Sequence, residues 1–162
     1  RIDNEKAIEK LSLMLKRPEV MAVPVLVSSI EMAQEYIEDV PEDVYQLIKK
    51  YWPGGLTIVF KCKIGKVSSL VRGGGNTVGI RMPNHSKILE IIEKVGIPIL
   101  GTSANFHGEK TPYEFSDLNK RLVKLVDFVV SGKTTIKEQS TVIDASTKPW
   151  KILREGAIKL KI

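Results

Sequence analysis

The segment Ile97-Pro98-Ile99-Leu100-Gly101-Thr102-Ser103-Ala104-Asn105 runs an apolar strand pattern directly into small hydroxyl and amide residues. Three apolar residues around a proline read as a buried strand, and the polar residues follow where an α/β sheet opens onto a ligand crevice. Backbone N–H groups, the Ser103 hydroxyl and the Asn105 amide can converge there on an oxyanion such as a phosphate. An ordinary strand-to-loop turn is the competing reading, because Gly, Ser and Asn are also the usual turn residues. A second glycine-rich stretch, Gly73-Gly74-Gly75, precedes a strand rather than a helix and lacks dinucleotide-binding spacing, so it reads as a loop.

The elements that must position these residues alternate between helix and strand. Asp3 is placed to cap a helix with the stripe Ala7, Ile8, Leu11, Met14 and Leu15, which Pro18 brings to an end. Ala22 to Val27 reads as a strand with Pro24 at an edge or early position. Ser28 and Glu31 have capping-box spacing for a helix to about Glu38, and Pro41 opens another bearing Val44, Leu47, Ile48 and Tyr51. Trp52-Pro53-Gly54-Gly55 is a turn, Leu56 to Cys62 and Thr77 to Arg81 are strands, and Ile88 to Val95 is a helix stopped by Gly96. A helix near Glu114 to Leu122 and strands near Phe128 to Val130, Thr141 to Asp144 and Lys151 to Leu153 follow. The alternation of Lys159 and Lys161 with Leu160 and Ile162 has the period of a half-exposed terminal strand. The short link before Lys151 favours antiparallel neighbours, so the expectation is an α/β fold with a mixed sheet.

Composition narrows the function classes. The 162 residues, 43% hydrophobic and 27% charged, suit one domain spanning 1–162 with a packed core. No apolar run has membrane-spanning length and no signal-peptide pattern opens the sequence, giving a cytoplasmic expectation without a membrane partner. A single cysteine, Cys62, agrees with a reducing compartment, and two distant histidines, His85 and His107, do not make a zinc motif. The net charge of +6 favours anionic partners, nucleotide or RNA. An aromatic content of 6% argues against single-strand base stacking and leaves shape recognition of double-stranded RNA open.

Taken in order, Lys16-Arg17-Pro18, Pro24-Val25-Leu26-Val27-Ser28-Ser29, Trp52-Pro53-Gly54-Gly55-Leu56-Thr57, Arg81-Met82-Pro83-Asn84-His85, Gly101-Thr102-Ser103-Ala104-Asn105, Ser140-Thr141-Val142-Ile143-Asp144 and Arg154-Glu155-Gly156-Ala157-Ile158 resemble the YrdC-like family. Its best-known members are threonylcarbamoyl-AMP synthases. The resemblance implies a twisted open sheet flanked by helices, with a basic concave face. On it ATP, L-threonine and bicarbonate would become L-threonylcarbamoyl-adenylate and pyrophosphate, a nucleotidyltransferase reaction. The product would pass to threonylcarbamoyl-transfer proteins acting on adenosine 37 of tRNA. The resemblance also implies a nucleotide site made of Arg17, Ser103, Asn105, Ser140 and Arg154, with Lys16 and Thr102 in support. Magnesium (Mg2+) would arrive with ATP, and no protein side chain is assigned to it. Arg81 is expected to orient its loop through backbone contacts, and His85 to serve a structural role at a helix start.

Against the family pattern this sequence departs at several places. The Pro-Thr-x-Thr segment of the threonine pocket, which precedes the first helix in the family, does not occur in it. Leu15 stands where the first lysine of Lys-x-Arg would be, and Met21 and Ala22 occupy positions that are basic or polar in the family. These departures lead to the expectation that the chain is N-terminally incomplete relative to the family and turns over poorly. Two alternatives follow. One is a divergent non-catalytic paralogue that binds nucleotide, double-stranded RNA or tRNA on the same face; the other is a carbamoyl-adenylate domain of a hydrogenase-maturation-like protein.

Overall fold

A computed structural model describes residues 1–18, 21–130, 134 and 136–160. Six strands form one mixed sheet: β1 (Val25–Leu26), β2 (Leu56–Lys61), β3 (Thr77–Arg81), β4 (Ile99–Leu100), β5 (Thr141–Asp144) and β6 (Lys151–Arg154), in the spatial order β4-β1-β3-β2-β5-β6. The pairs β1·β3 and β2·β5 are parallel, while β1·β4, β2·β3 and β5·β6 are antiparallel.

Period-two alternation gives the sheet two unlike faces. Val25, Leu56, Ile58, Phe60, Val78, Ile80, Thr141 and Ile143 are buried on one. They join a core with Ile8 of α1 (Glu5–Met14), Ala33 of α2 (Ile30–Gln34), Val44 and Ile48 of α3 (Glu42–Tyr51) and Val71 of α4 (Ser69–Arg72). The other face carries Leu26, Val59, Gly79, Arg81 and Val142, all only half-buried, and Arg154. Around the sheet lie α5 (Ser86–Val95), closed by Gly96 at φ +75°, and α6 (Lys120–Val123).

The sequence-based expectations hold best for β3, β5 and the stop at Gly96; elsewhere tertiary context changes the outcome. Asn4 caps α1, its side chain accepting from the Ala7 N–H, because the helix begins at Glu5; Asp3, one residue earlier, pairs with Arg1 at 2.7 Å instead. Ser29, not Ser28, caps α2 by accepting from the Met32 N–H, and that helix ends at Gln34 because Ile37 bridges to Cys62 at the end of β2. Pro24 precedes a central strand rather than an edge. Ile99 and Leu100 are half-buried because β4 is itself an edge strand. The helix near Glu114 divides into a 3-10 turn at Phe115–Asp117 and α6. Phe128 to Val130 forms no strand: the sheet edges are β4 and β6, and Phe128 stays 81% exposed. Lys159 and Leu160 are not in a strand, and Lys161 and Ile162 lie outside the described residues.

Candidate nucleotide site on the open face of the sheet

The residues singled out in the sequence come together as two pairs. Arg17, just beyond the C-terminus of α1, donates from Nη2 to the Ser103 hydroxyl at 3.2 Å, and its Nη1 lies 3.7 Å from the Met21 sulfur. Burial lowers the guanidinium pKa, and its Nε is buried with no hydrogen-bond partner. The Ser103 loop follows β4, where Gly101 donates to the Pro24 carbonyl at 2.8 Å and lies across the Leu26 side chain. Leu26 shares its face with Arg81 through the β1·β3 register.

The second pair is Arg154 and Ser140. Arg154 donates from Nε to the Ser140 carbonyl at 3.0 Å and from Nη2 to the Ser140 hydroxyl at 2.9 Å, so its planar fork is fixed at the end of β6. The Ser140 hydroxyl meets the Thr57 hydroxyl at 2.9 Å. Gly156 makes this approach possible, since a Cβ there would lie 2.3 Å from the Gln139 oxygen and 2.8 Å from the Ser140 carbonyl carbon. Arg81 completes this side. Its Nε donates to the Gly54 carbonyl at 2.8 Å, and its pKa is lowered by burial and then by the positive charge of Arg154.

Asn105 changes its expected role. Its amide nitrogen donates to the carbonyls of Phe106 and Glu109, both at 2.9 Å, which uses both N–H bonds. The atom left over is the buried Oδ1, without a partner. An acceptor repels an oxyanion, so Asn105 suits a ligand hydroxyl or N–H, not a phosphate oxygen. Lys16 is also redirected, with its ammonium 5.2 Å from the centroid of the Phe106 ring. Thr102 makes only a long contact of 3.4 Å to the Ser103 carbonyl. Leu15, at the place of the family lysine, is buried in a small cluster with Phe106 and Leu122.

Sequence reasoning passed over Thr57; it expected Arg81 to orient its loop through backbone contacts, as its bond to the Gly54 carbonyl does, but not to bring its charge beside Arg154. A signal was available for each: Thr57 is a polar residue inside the apolar run Leu56 to Phe60, and Arg81 ends a strand whose alternation points it to the open face. Together the site presents the half-buried guanidiniums of Arg17 and Arg81 and the exposed but hydrogen-bonded one of Arg154, none of them in an ion pair among the described residues, beside three hydroxyls. A partly desolvated cation without a carboxylate is costly unless an anion completes it. Among the described residues no group of three His, Cys, Asp or Glu could hold a metal ion, and no helix is long and apolar enough to cross a membrane. Two grooves of about 570 and 500 Å³ lie elsewhere, beside α3 and beside the end of β2, and contain none of these residues.

The Sua5/YciO/YrdC family model, described as telomere recombination, matches residues 1–156. The chain belongs to the Sua5/YciO/YrdC family. Within it, the chain is 33% identical over 159 residues to a threonylcarbamoyl-AMP synthase of Bacillus subtilis, covering 96% of this chain and 45% of that protein. Identity to the Pyrococcus abyssi threonylcarbamoyl-AMP synthase is 31%, covering 98% of this chain and 46% of that protein. The chain thus spans about half the length of these relatives. A structure of Pyrococcus abyssi Sua5 complexed with L-threonine superimposes with a TM-score of 0.86 at 30% identity, over 94% of this chain and 45% of that one. The family fold accounts for the mixed sheet with one open face.

Proposed function

We propose that this chain forms L-threonylcarbamoyl-adenylate from ATP, L-threonine and bicarbonate, as a nucleotidyltransferase supplying tRNA modification. The observation that carries the reading is the trio of Arg17 and Arg81, half-buried, and Arg154, pinned by Ser140, all free of ion pairs among the described residues and set beside Ser103, Ser140 and Thr57. The names of the two synthase relatives and the threonine-bound Sua5 structure support the choice of substrates.

In this reaction the threonine amine takes up bicarbonate to form a carbamate, releasing water. A carbamate oxygen then attacks the α-phosphorus of ATP, the bond to the β-phosphate oxygen breaks, and pyrophosphate leaves with that electron pair. The chain must hold two anions in contact and offset the charge that grows on the phosphoryl oxygens. Arg154, fixed on Ser140, would offer its remaining N–H bonds to phosphate in a preset plane. Arg17 and the Ser103 hydroxyl would do the same from the β4 side, and Arg81 would neutralise the second anion. Asn105 would accept a hydrogen bond from a ribose hydroxyl or a base N–H through Oδ1. Magnesium would neutralise and orient the ATP phosphates; the donors here are hydroxyls, an amide and guanidiniums without a carboxylate cluster, so it would be held chiefly by phosphate oxygens and water. No side chain needs to act as a nucleophile.

The test is pyrophosphate release from ATP in the presence of magnesium, with threonine and bicarbonate omitted in turn. The expected result is equilibrium binding of magnesium-ATP and release that requires both threonine and bicarbonate but is slow, because Leu15, at the place of the family lysine, is packed in an apolar cluster and offers no charge. Absence of ATP binding in a folded sample would overturn the nucleotide reading, and release independent of threonine would overturn the choice of acceptor.

A further inference from the structure

Lys16 has a backbone that its residue type disfavours and a side chain turned onto a ring in the neighbouring loop. At φ +54° it is the one described non-glycine residue in the left-handed region. It follows Leu15, the C-terminal cap of α1, where glycine is the usual choice. The Lys16 N–H bonds to the Leu13 carbonyl at 3.0 Å and the Arg17 N–H to the Ser12 carbonyl at 2.9 Å, which together form a Schellman closure. The left-handed residue turns the chain sharply, so that Arg17 leaves the helix axis and reaches Ser103.

Three further contacts tie this closure to the loop after Ser103. The His107 N–H donates to the Leu15 carbonyl at 2.8 Å, Leu15 packs against Phe106, and the Lys16 ammonium lies over the Phe106 ring. Phe106 is covalently next to Asn105 and three residues after Ser103, and it is 8% exposed. The Lys16 ammonium is therefore turned to the ring of the loop that carries the other half of the site, not to a phosphate. We propose that Lys16 is a positioning residue, which holds Arg17 on Ser103 through its left-handed backbone and its cation–π contact with Phe106, without touching the nucleotide.

This inference deepens the nucleotide reading, and its test separates the two. In the ligand-free protein, the NMR signal of the buried Arg17 Nε–H reports whether the guanidinium is held. Lys16→Arg keeps a cation over the ring and should leave that proton's exchange rate within about twofold of wild type. Lys16→Met keeps the stem and removes the charge, and Phe106→Leu keeps an apolar residue and removes the ring. Each should speed exchange by about three- to tenfold, and the double variant should be no faster than the faster single one. Lys16→Gly relieves the backbone and removes the contact, and should fall between Lys16→Arg and Lys16→Met. Exchange of the Ile58 amide, deep in the core, serves as the folding control. Unchanged Arg17 exchange in both Lys16→Met and Lys16→Gly would overturn the proposal. So would weaker magnesium-ATP binding in Lys16→Met with Arg17 exchange intact, since that pattern belongs to direct phosphate contact. If wild-type protein does not bind ATP at all, the nucleotide reading fails while the Arg17 signal still decides the role of Lys16.

Discussion

Arg154 spends two of its five N–H bonds on Ser140, which leaves the fork oriented with three donors free. Truncating it to alanine should weaken magnesium-ATP binding by about 1.5 to 3 kcal/mol, the range of a charge-assisted hydrogen bond, as measured by calorimetric titration. Arg154→Lys should recover only part of the loss, because an ammonium cannot grip Ser140 and phosphate in one plane; full affinity in the alanine variant would remove Arg154 from the site. Asn105 allows a second test, since its amide nitrogen serves two backbone carbonyls that fix the loop. Asn105→Ala should cost about 1 to 3 kcal/mol of stability in urea unfolding, through acceptors left without donors. A stability loss with unchanged ATP affinity would confine Asn105 to the loop scaffold.

At the scale of elements, the approach of β6 to Ser140 depends on Gly156. Gly156→Ala must displace the Gln139 and Ser140 backbone, so it should lower stability by about 1 to 3 kcal/mol and weaken ATP binding as the Arg154–Ser140 pair separates. Gly65→Ala is the matched control, because nothing lies within 4 Å of a Cβ there and its thermal midpoint should not fall. Acid stability is also set by turns and caps. The Asp117 carboxylate accepts from the backbone N–H groups of Tyr113 and Glu114, which holds it below the usual carboxylate range, and the hydrogen bond from Lys148 does the same for Asp43. A carboxylate with a depressed folded pKa contributes stability that is fully present above its unfolded value, about pH 4, and lost as pH falls through the folded value. Thermal midpoints should therefore drop as pH falls below about 4, and Asp117→Asn should flatten part of that drop. An identical slope in the variant would mean that the 3-10 turn contributes nothing to acid sensitivity.

For the molecule as a whole, the net charge of +6 and the three guanidiniums on one side of the sheet make an anion-attracting surface. Magnesium-ATP at a hundred times its dissociation constant should stabilise the fold by about 2.7 kcal/mol, read as a rise in thermal midpoint. Double-stranded RNA should bind weakly and without sequence preference, losing affinity as salt rises; a flat salt response would show the charge to act on solubility alone.

The strand alternation in Leu56 to Lys61, Thr77 to Arg81 and Thr141 to Asp144 was legible in the sequence, because period two is a local property that a sheet preserves. So were the stop at Gly96 and the polar character of the Ser103 loop. Which side of the sheet is covered was not local: it depends on where α1 to α4 pack, and that decides that Arg81 and Thr57 face the open side. Capping by Asn4 and Ser29 in place of Asp3 and Ser28 follows from where each helix begins, which spacing does not fix to the residue. The roles of Asn105 and Lys16 likewise belong to the tertiary structure. A side chain's type states which hydrogen bonds or charge it can offer, and only the neighbours brought by the fold decide which of these remain for a ligand.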